Sequence, residues 1–189
     1  MNLLLVGLGN PDNQYQKNRH NAGFQFLDWL AKSRTNDELR KTNFQYDKYT
    51  RSEIMTVFLT ANSYKLKAIL AKPQTFMNQS GSAVKSCVAR YTLHVTHDLI
   101  VVHDDLDMRL GSFKIQKGVG PKIHNGIDSI EKSLKTKDFW RIRIGIDNRD
   151  SDHRIPGEPY VLSDFTEEEM VILNQIFPTI QKRLICIAS

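Results

Sequence analysis

Hydrophobic positions along this chain follow two alternating rhythms. Short runs rich in Leu, Ile and Val, at about 2–7, 54–59, 66–71, 99–103, 112–116 and 141–146, have the length and branching of strands. Between some of them the apolar residues recur at helix spacing. Phe24, Leu27, Leu30 and Ala31 form one such set; Ala83, Val84, Cys87, Val88 and Tyr91 form a second; Ile127, Ile130 and Leu134 form a third. Further on, Thr166 and Glu169 have the Thr-x-x-Glu spacing of a capping box. It opens a helix whose apolar face carries Met170, Ile172, Leu173, Ile176, Ile180 and Leu184. Strands alternating with helices predict one α/β domain over residues 1–189, with a twisted, mixed and mostly parallel sheet flanked by helices. Two polar stretches interrupt the pattern. Residues 33–49 read as a loop with a short edge strand, and residues 148–158 as a second polar excursion. Neither is long enough to mark a domain boundary.

Composition narrows the class without choosing a function. The chain has 189 residues, 40% of them apolar and 25% charged, as in ordinary globular proteins. No apolar stretch approaches the roughly 20 residues that span a bilayer. The first apolar run is short, lacks a basic leader and ends in Gly-Leu-Gly-Asn-Pro, so it reads as a strand rather than a signal peptide. Cys87 and Cys186 both sit among apolar neighbours on helical patterns, which predicts buried thiols in a reducing cytosol. The net charge of +5 is a mild excess. It permits a polyanionic partner and does not require one.

Ligand sites in open α/β sheets lie beyond the carboxyl ends of the strands, so what each strand runs into is informative. The first strand runs into Gly7-Leu8-Gly9-Asn10, and the strand ending at Ala71 runs into Lys72-Pro73-Gln74-Thr75-Phe76-Met77-Asn78. The strand from Leu99 runs into His103-Asp104-Asp105-Leu106-Asp107. His20 and His124-Asn125-Gly126 add two imidazoles and another amide. The set contains no serine elbow, no cysteine beside a base and no metal-ligand spacing. Taken singly, each member has a plainer use. Asn10 before Pro11 suits a turn, Asn78 a helix cap, Asp104 and Asp105 a solvated loop, and His124-Asn125-Gly126 a helix start. A dinucleotide fingerprint at Gly7-x-Gly9 fails at its third glycine, where Asp12 would face the pyrophosphate, and Pro11 interrupts the helix start.

Together the segments carry a resemblance. GLGNPDNQYQKNRHNAGF at 7–24, KPQTFMNQSG at 72–81, HDDLDMRLG at 103–111, HNG at 124–126 and FWRIRIGI at 139–146 resemble the signatures of bacterial-type peptidyl-tRNA hydrolases, in the family's order and spacing. The resemblance implies a cytosolic, monomeric, metal-free enzyme that needs no cofactor, binds no membrane and hydrolyses the ester joining a peptide to the terminal ribose of tRNA. It implies His20 as catalytic base, Asp104 as its orienting carboxylate and Asn10 as a residue that positions substrate and reactive groups. Asn78 and Asn125 resemble the amides that hold peptide and water, with Tyr15, Phe76 and Met77 lining the cleft. A histidine with an ordinary pKa near ~6.5 can activate water at cell pH, and a carboxylate at its second nitrogen fixes the tautomer. Amides can stabilise the oxyanion without adding charge.

A tRNA substrate also gives the basic excess a use, since Lys and Arg contacts to phosphate supply salt-dependent affinity. The candidates are Lys114, Lys117, Lys122, Arg141 and Arg143; Lys114 and the two arginines alternate with apolar residues so that one strand face is polar. In place of the family's glycine-rich loop before His-Asn-Gly, this chain has Gly118-Val119-Gly120-Pro121-Lys122-Ile123, with Pro121 and Ile123 at positions that are otherwise small. The departure bears on loop motion and RNA contacts more than on the chemistry. One rival is a non-catalytic RNA-binding protein on the same scaffold, since plastid intron-splicing factors resemble this family. A nucleotide-dependent oxidoreductase is the other, and Asp12 disfavours it.

Overall fold

In a computed structural model, which describes residues 2–33, 43–61, 64–150 and 155–188, seven strands form a single sheet. The strands are β1 (Asn2–Gly7), β2 (Gln45–Asp47), β3 (Ser52–Ala61), β4 (Tyr64–Pro73), β5 (Leu99–Arg109), β6 (Phe113–Lys117) and β7 (Trp140–Asp147). Their order is β2-β3-β4-β1-β5-β7-β6. The four central strands β4, β1, β5 and β7 are parallel, and β3, β2 and β6 add antiparallel strands outside them. The parallel strands are the near-continuous apolar runs of the sequence, because a strand covered on both faces has no polar side to alternate with.

Helices α1 (Ala22–Lys32), α2 (Ser80–Arg90), α3 (Val95–Asp98), α4 (Asn125–Leu134), α5 (Gly157–Val161) and α6 (Glu167–Ala188) complete the fold. Leu3, Leu5, Ile100, Val102 and Ile144 pack with Phe26 of α1 and Leu173 and Phe177 of α6. Leu4, Val6, Leu99 and Val101 point the opposite way, onto Val84 of α2 and Ile127 and Ile130 of α4. The period-2 alternation of a strand thus divides one sheet between two cores.

The capping box is present. Thr166 N–H donates to Glu169 Oε2 at 2.9 Å, and Glu169 N–H donates to Thr166 Oγ1 at 3.3 Å. Of the polar stretch 33–49, residues 34–42 lie outside the described residues, and β2 supplies the short edge strand. Of the stretch 148–158, residues 151–154 lie outside the described residues; α5 begins within the rest and is too short to show a period. Cys87 is buried as expected, but Cys186 is exposed. The inward row of α6 runs through Leu173, Phe177, Ile180 and Leu184, so two residues later the helix points outward.

The glycines after β1 serve packing. A Cβ on Gly7 would sit 2.6 Å from the Gly23 carbonyl oxygen, so α1 crosses the strand end at backbone contact. That close crossing carries the chain from Asn10 back to His20 at the carboxyl end of the sheet.

Candidate active site

The site forms where β5 passes the carboxyl end of β1. Along β5, alternation turns the Asp104 side chain away from its neighbours His103 and Asp105. The Asp104 carboxylate is 2% exposed and accepts from two imidazoles. His20 Nδ1 lies 2.9 and 3.0 Å from its two oxygens, and His124 Nε2 lies 3.0 Å from Oδ1. His20 sits on a 3₁₀ turn, Arg19–Asn21, braced by the segment between α5 and α6. Asn18 Nδ2 donates to the Leu162 carbonyl at 2.6 Å and Arg19 N–H to the Ser163 carbonyl at 3.0 Å. The Arg19 guanidinium bonds Glu169 at 2.5 Å and lies 4.3 Å from the Tyr160 ring centre.

Electrostatics follow from this packing. Burial lowers the affinity of His20 for a proton, but the Asp104 charge and hydrogen bond outweigh it, so its pKa is raised above 6.5. Burial would raise the Asp104 pKa; the charge interaction with His20, then that with His124, and both hydrogen bonds hold it well below the carboxylate range. His103 is fully buried, and burial followed by the neighbouring His124 pushes its pKa well below 6.5. Its Nδ1–H donates to the Asp104 carbonyl at 2.6 Å.

Side-chain amides of Asn10, Asn78, Gln79 and Asn125 line the cleft beside this centre. Asn10 is held by a reciprocal pair with Asn21: Asn10 N–H to Asn21 Oδ1 at 2.9 Å, and Asn21 Nδ2 to the Asn10 carbonyl at 3.0 Å. Met77 N–H donates to Asn10 Oδ1 at 2.9 Å. The amide oxygen is therefore turned to Met77, and no described protein group takes up Nδ2. A cleft of about 380 Å³ opens here, lined by Asn10, His20, Phe76, Met77, Asn78 and Asn125, with Glu158, Val161 and Leu162 on the α5 wall. Asn78 is not spent on a helix cap, because Gln79 precedes α2 and makes no side-chain cap bond. With Nδ1 given to Asp104, Nε2 is the His20 nitrogen left to meet a water.

Other expected residues fall elsewhere. Tyr15 is half-buried in the turn Asn13–Tyr15 and does not line this cleft; bonds from Tyr15 N–H to Asp12 and from Asn18 N–H to Tyr15 fold the segment on itself. Lys114 and Lys122 are exposed, and Lys117 pairs with Asp138 at 3.4 Å. Arg141 is 2% exposed and bonds Glu131 at 2.8 Å, the Lys137 carbonyl and the Gly120 carbonyl. Arg143 is also buried, with Nε on Asp105 at 2.6 Å and Nη1 on Gln116 at 2.8 Å. The expectation that both arginines meet tRNA is corrected. β7 lies between β5 and β6 with both faces covered, so its polar positions meet internal partners and not solvent. Both guanidinia instead brace the segment around Gly120, whose Cα lies against Arg143.

Three neighbours of Asp104 on β5, His103, Asp105 and Asp107, have partners of their own. His103 is a fully buried ring stacked edge-on to His124, with centroids 4.9 Å apart. Asp105 is the partner of Arg143, and Asp107 Oδ2 accepts from Lys122 N–H at 3.3 Å. His124 received no role of its own, although the helix start at His-Asn-Gly was legible. The capping group is the histidine ring itself. His124 Nδ1 accepts from Gly126 N–H at 3.1 Å and from Ile127 N–H at 3.3 Å.

Among the described residues one group of side chains could converge on an ion: His20 Nδ1, an Asp104 oxygen and His124 Nε2 lie within 4.8 Å of one another. The tautomer of His124 opposes this use. A neutral imidazole bound to a metal through Nε2 carries its proton on Nδ1, and there it would face the two backbone N–H groups.

A family model described as peptidyl-tRNA hydrolase matches residues 4–189. A relative from Lawsonia intracellularis named peptidyl-tRNA hydrolase is 39% identical, over 94% of this chain and 82% of the relative. One of the same name from Mycoplasma mycoides subsp. mycoides is 36% identical, over 92% of this chain and 86% of the relative. The crystal structure of peptidyl-tRNA hydrolase from Acinetobacter baumannii superposes with a TM-score of 0.81 at 27% identity, over 98% of this chain and 88% of that one.

Proposed function

This chain belongs to the peptidyl-tRNA hydrolase family, and we propose that it hydrolyses peptidyl-tRNA with a water activated by His20. The observation that carries this assignment of roles is the His20–Asp104 pair at the mouth of an amide-lined cleft. Neutral His20 takes a proton from water through Nε2, and the hydroxide adds to the ester carbonyl carbon. Asp104 holds the ring in the tautomer with Nδ1 protonated and stabilises the imidazolium. The oxyanion that develops is met by neutral donors, with Asn10 Nδ2 best placed because Met77 fixes the other end of its amide. Collapse breaks the bond to the ribose oxygen, which takes the proton back from His20. Free tRNA and the peptide acid leave, the acid giving its remaining proton to solvent. Asn78 and Asn125 hold the peptide, and Phe76 and Met77 contact its apolar portions.

No metal is required by these steps, and the tautomer of His124 supports that reading. Lys114, Lys117 and Lys122 are the basic residues offered to tRNA phosphate, and the protein acts as a monomer in the cytosol. Among the described residues no helix is long and apolar enough to cross a membrane. The non-catalytic RNA-binding alternative is not favoured, since the family and the named relatives are hydrolases.

The test is release of free tRNA from a purified N-blocked aminoacyl-tRNA, with Mg²⁺ held constant for the RNA and a transition-metal chelator present or absent. Turnover should be indifferent to the chelator. His20→Ala should fold normally and lose roughly 10²–10⁴ in kcat, the scale of general acid–base catalysis. Near-normal turnover by His20→Ala would rule out this base. Loss of activity on chelation would rule out the metal-free reading.

A further inference from the structure

The mechanism above uses one of the two histidines that touch Asp104. The second makes three polar contacts, and they divide cleanly between its ring nitrogens. His124 Nδ1 receives the Gly126 and Ile127 N–H groups, two of the donors that the start of α4 leaves unpaired. A nitrogen that accepts two donors carries no proton, so the single N–H of the neutral ring is on Nε2 and points at Asp104. Few side chains could do both. Ser, Thr, Asn and Asp cap well, but none is long enough to cap with one end and donate a hydrogen bond across the site with the other.

We propose that His124 is a positioning residue for the hydrolysis: by capping α4 through Nδ1 it is locked as an Nε2–H donor that fixes the rotamer of Asp104, and through Asp104 it orients His20. The proposal rests on the assignment of His20 as base. The same cap fixes the place of Asn125, the first residue of α4 and a wall of the cleft. One side chain thus ties the amide offered to the peptide to the carboxylate that orients the base. His103, stacked edge-on behind it, holds the plane of the His124 ring. The His20 ring, tilted 42° to that of His124 with centroids 4.9 Å apart, closes the other side.

Replacement by asparagine separates the two duties. His124→Asn retains an oxygen to cap α4 and cannot span to Asp104; His124→Ala removes both. His124→Asn should keep the melting temperature near that of the parent and lower kcat about 10–100-fold, the cost usual for removing a group that orients a catalytic ligand, with KM little changed. Asp104 would then have one donor fewer and bind the His20 imidazolium more strongly. The limb of kcat/KM that rises as His20 loses its proton should therefore move to higher pH. Other ionisable groups near this pair are His103 behind the ring, which burial keeps neutral, Arg141 acting on His103, Arg19 beside His20 and Glu158 on the α5 wall; all are unaltered in the variant. His124→Ala should lose the same activity and also stability.

A second measurement does not depend on any variant. Nitrogen NMR of the imidazoles in the whole protein should show the neutral His124 ring with an unprotonated Nδ1 and a protonated Nε2. Parent-like kcat and pH limb in His124→Asn, or a proton found on His124 Nδ1, would overturn the proposal. If His20→Ala retained activity, the base assignment would fail instead, a result that the His124 variants cannot mimic.

Discussion

At position 20 a single ring balances two opposed demands. Its pKa lies above 6.5 because Asp104 stabilises the imidazolium more than burial destabilises it. The proposed mechanism needs the neutral ring, so kcat/KM should rise with pH along a limb centred above 6.5. Stability runs the other way. A group whose folded pKa is raised stabilises the fold fully below its unfolded value of 6.5, and that stabilisation fades as pH climbs through the folded value. Asp104 is the converse case, its contribution present above 3.8 and lost only in strong acid. Asp104→Asn should therefore shift the kinetic limb to lower pH and lower kcat less than His20→Ala does, because the base remains but its tautomer is no longer imposed. The melting-temperature gap between parent and Asp104→Asn should narrow as pH rises past the limb. An unmoved limb in that variant would break the link between the two residues. The candidates His20, Asp104, Asn10, Asn78 and Asn125 were legible as residue types at strand and helix ends. The geometry that selects among the site's nitrogens was not, because a sequence shows neither a tautomer nor the amide end that a backbone N–H claims.

At the scale of elements, the link between α6 and the catalytic turn is the feature with energetic consequences. Glu169 completes the capping box and also pairs with Arg19, the residue before the base. Sequence spacing announces the box, since Thr166 and Glu169 are close along the chain; the partner 150 positions away is a tertiary fact. The two duties predict unequal losses. Thr166→Ala removes one cap bond and should cost about 1 kcal/mol. Glu169→Ala also leaves the charge of Arg19, a residue 6% exposed, without its carboxylate although Nη1 keeps Ser163 and the Asp164 carbonyl, and should cost about 3–5 kcal/mol, as removal of one partner of a buried pair does. Urea unfolding of both variants measures the difference. Equal losses would mean that the ion pair adds nothing to the cap. Turnover should fall more in the glutamate variant, because its loss loosens the turn that carries His20.

For the molecule as a whole, the excess of five positive charges matters less than where the charges sit. Strand runs announced the sheet, because the parallel strands are apolar on both sides; its two cores are seen in the fold. The same periodicity misassigned Arg141 and Arg143: alternation says that two side chains share a face, not whether solvent or a helix covers it. Glu131 and Asp105 neutralise those two charges inside the fold, and Asp28 and Glu53 neutralise Lys72. Under the proposed function, long-range attraction for tRNA falls to lysines on the surface, such as Lys114 and Lys122. Each phosphate contact releases counterions, so removing one should flatten the plot of log affinity against log salt by about 0.7–0.9 of a unit. Lys114→Ala and Lys122→Ala should each show that change in binding of deacylated tRNA across a salt series, with kcat preserved. For Lys122 the nearest carboxylate, Asp107, is 3.9 Å away and the lysine side chain is 86% exposed, so an RNA phosphate can replace it at little cost. Arg141→Met should leave the slope alone and lower the unfolding midpoint, since it leaves Glu131 without its buried partner. A slope changed by Arg141→Met and not by the two lysine variants would reverse the assignment of surface and interior charge.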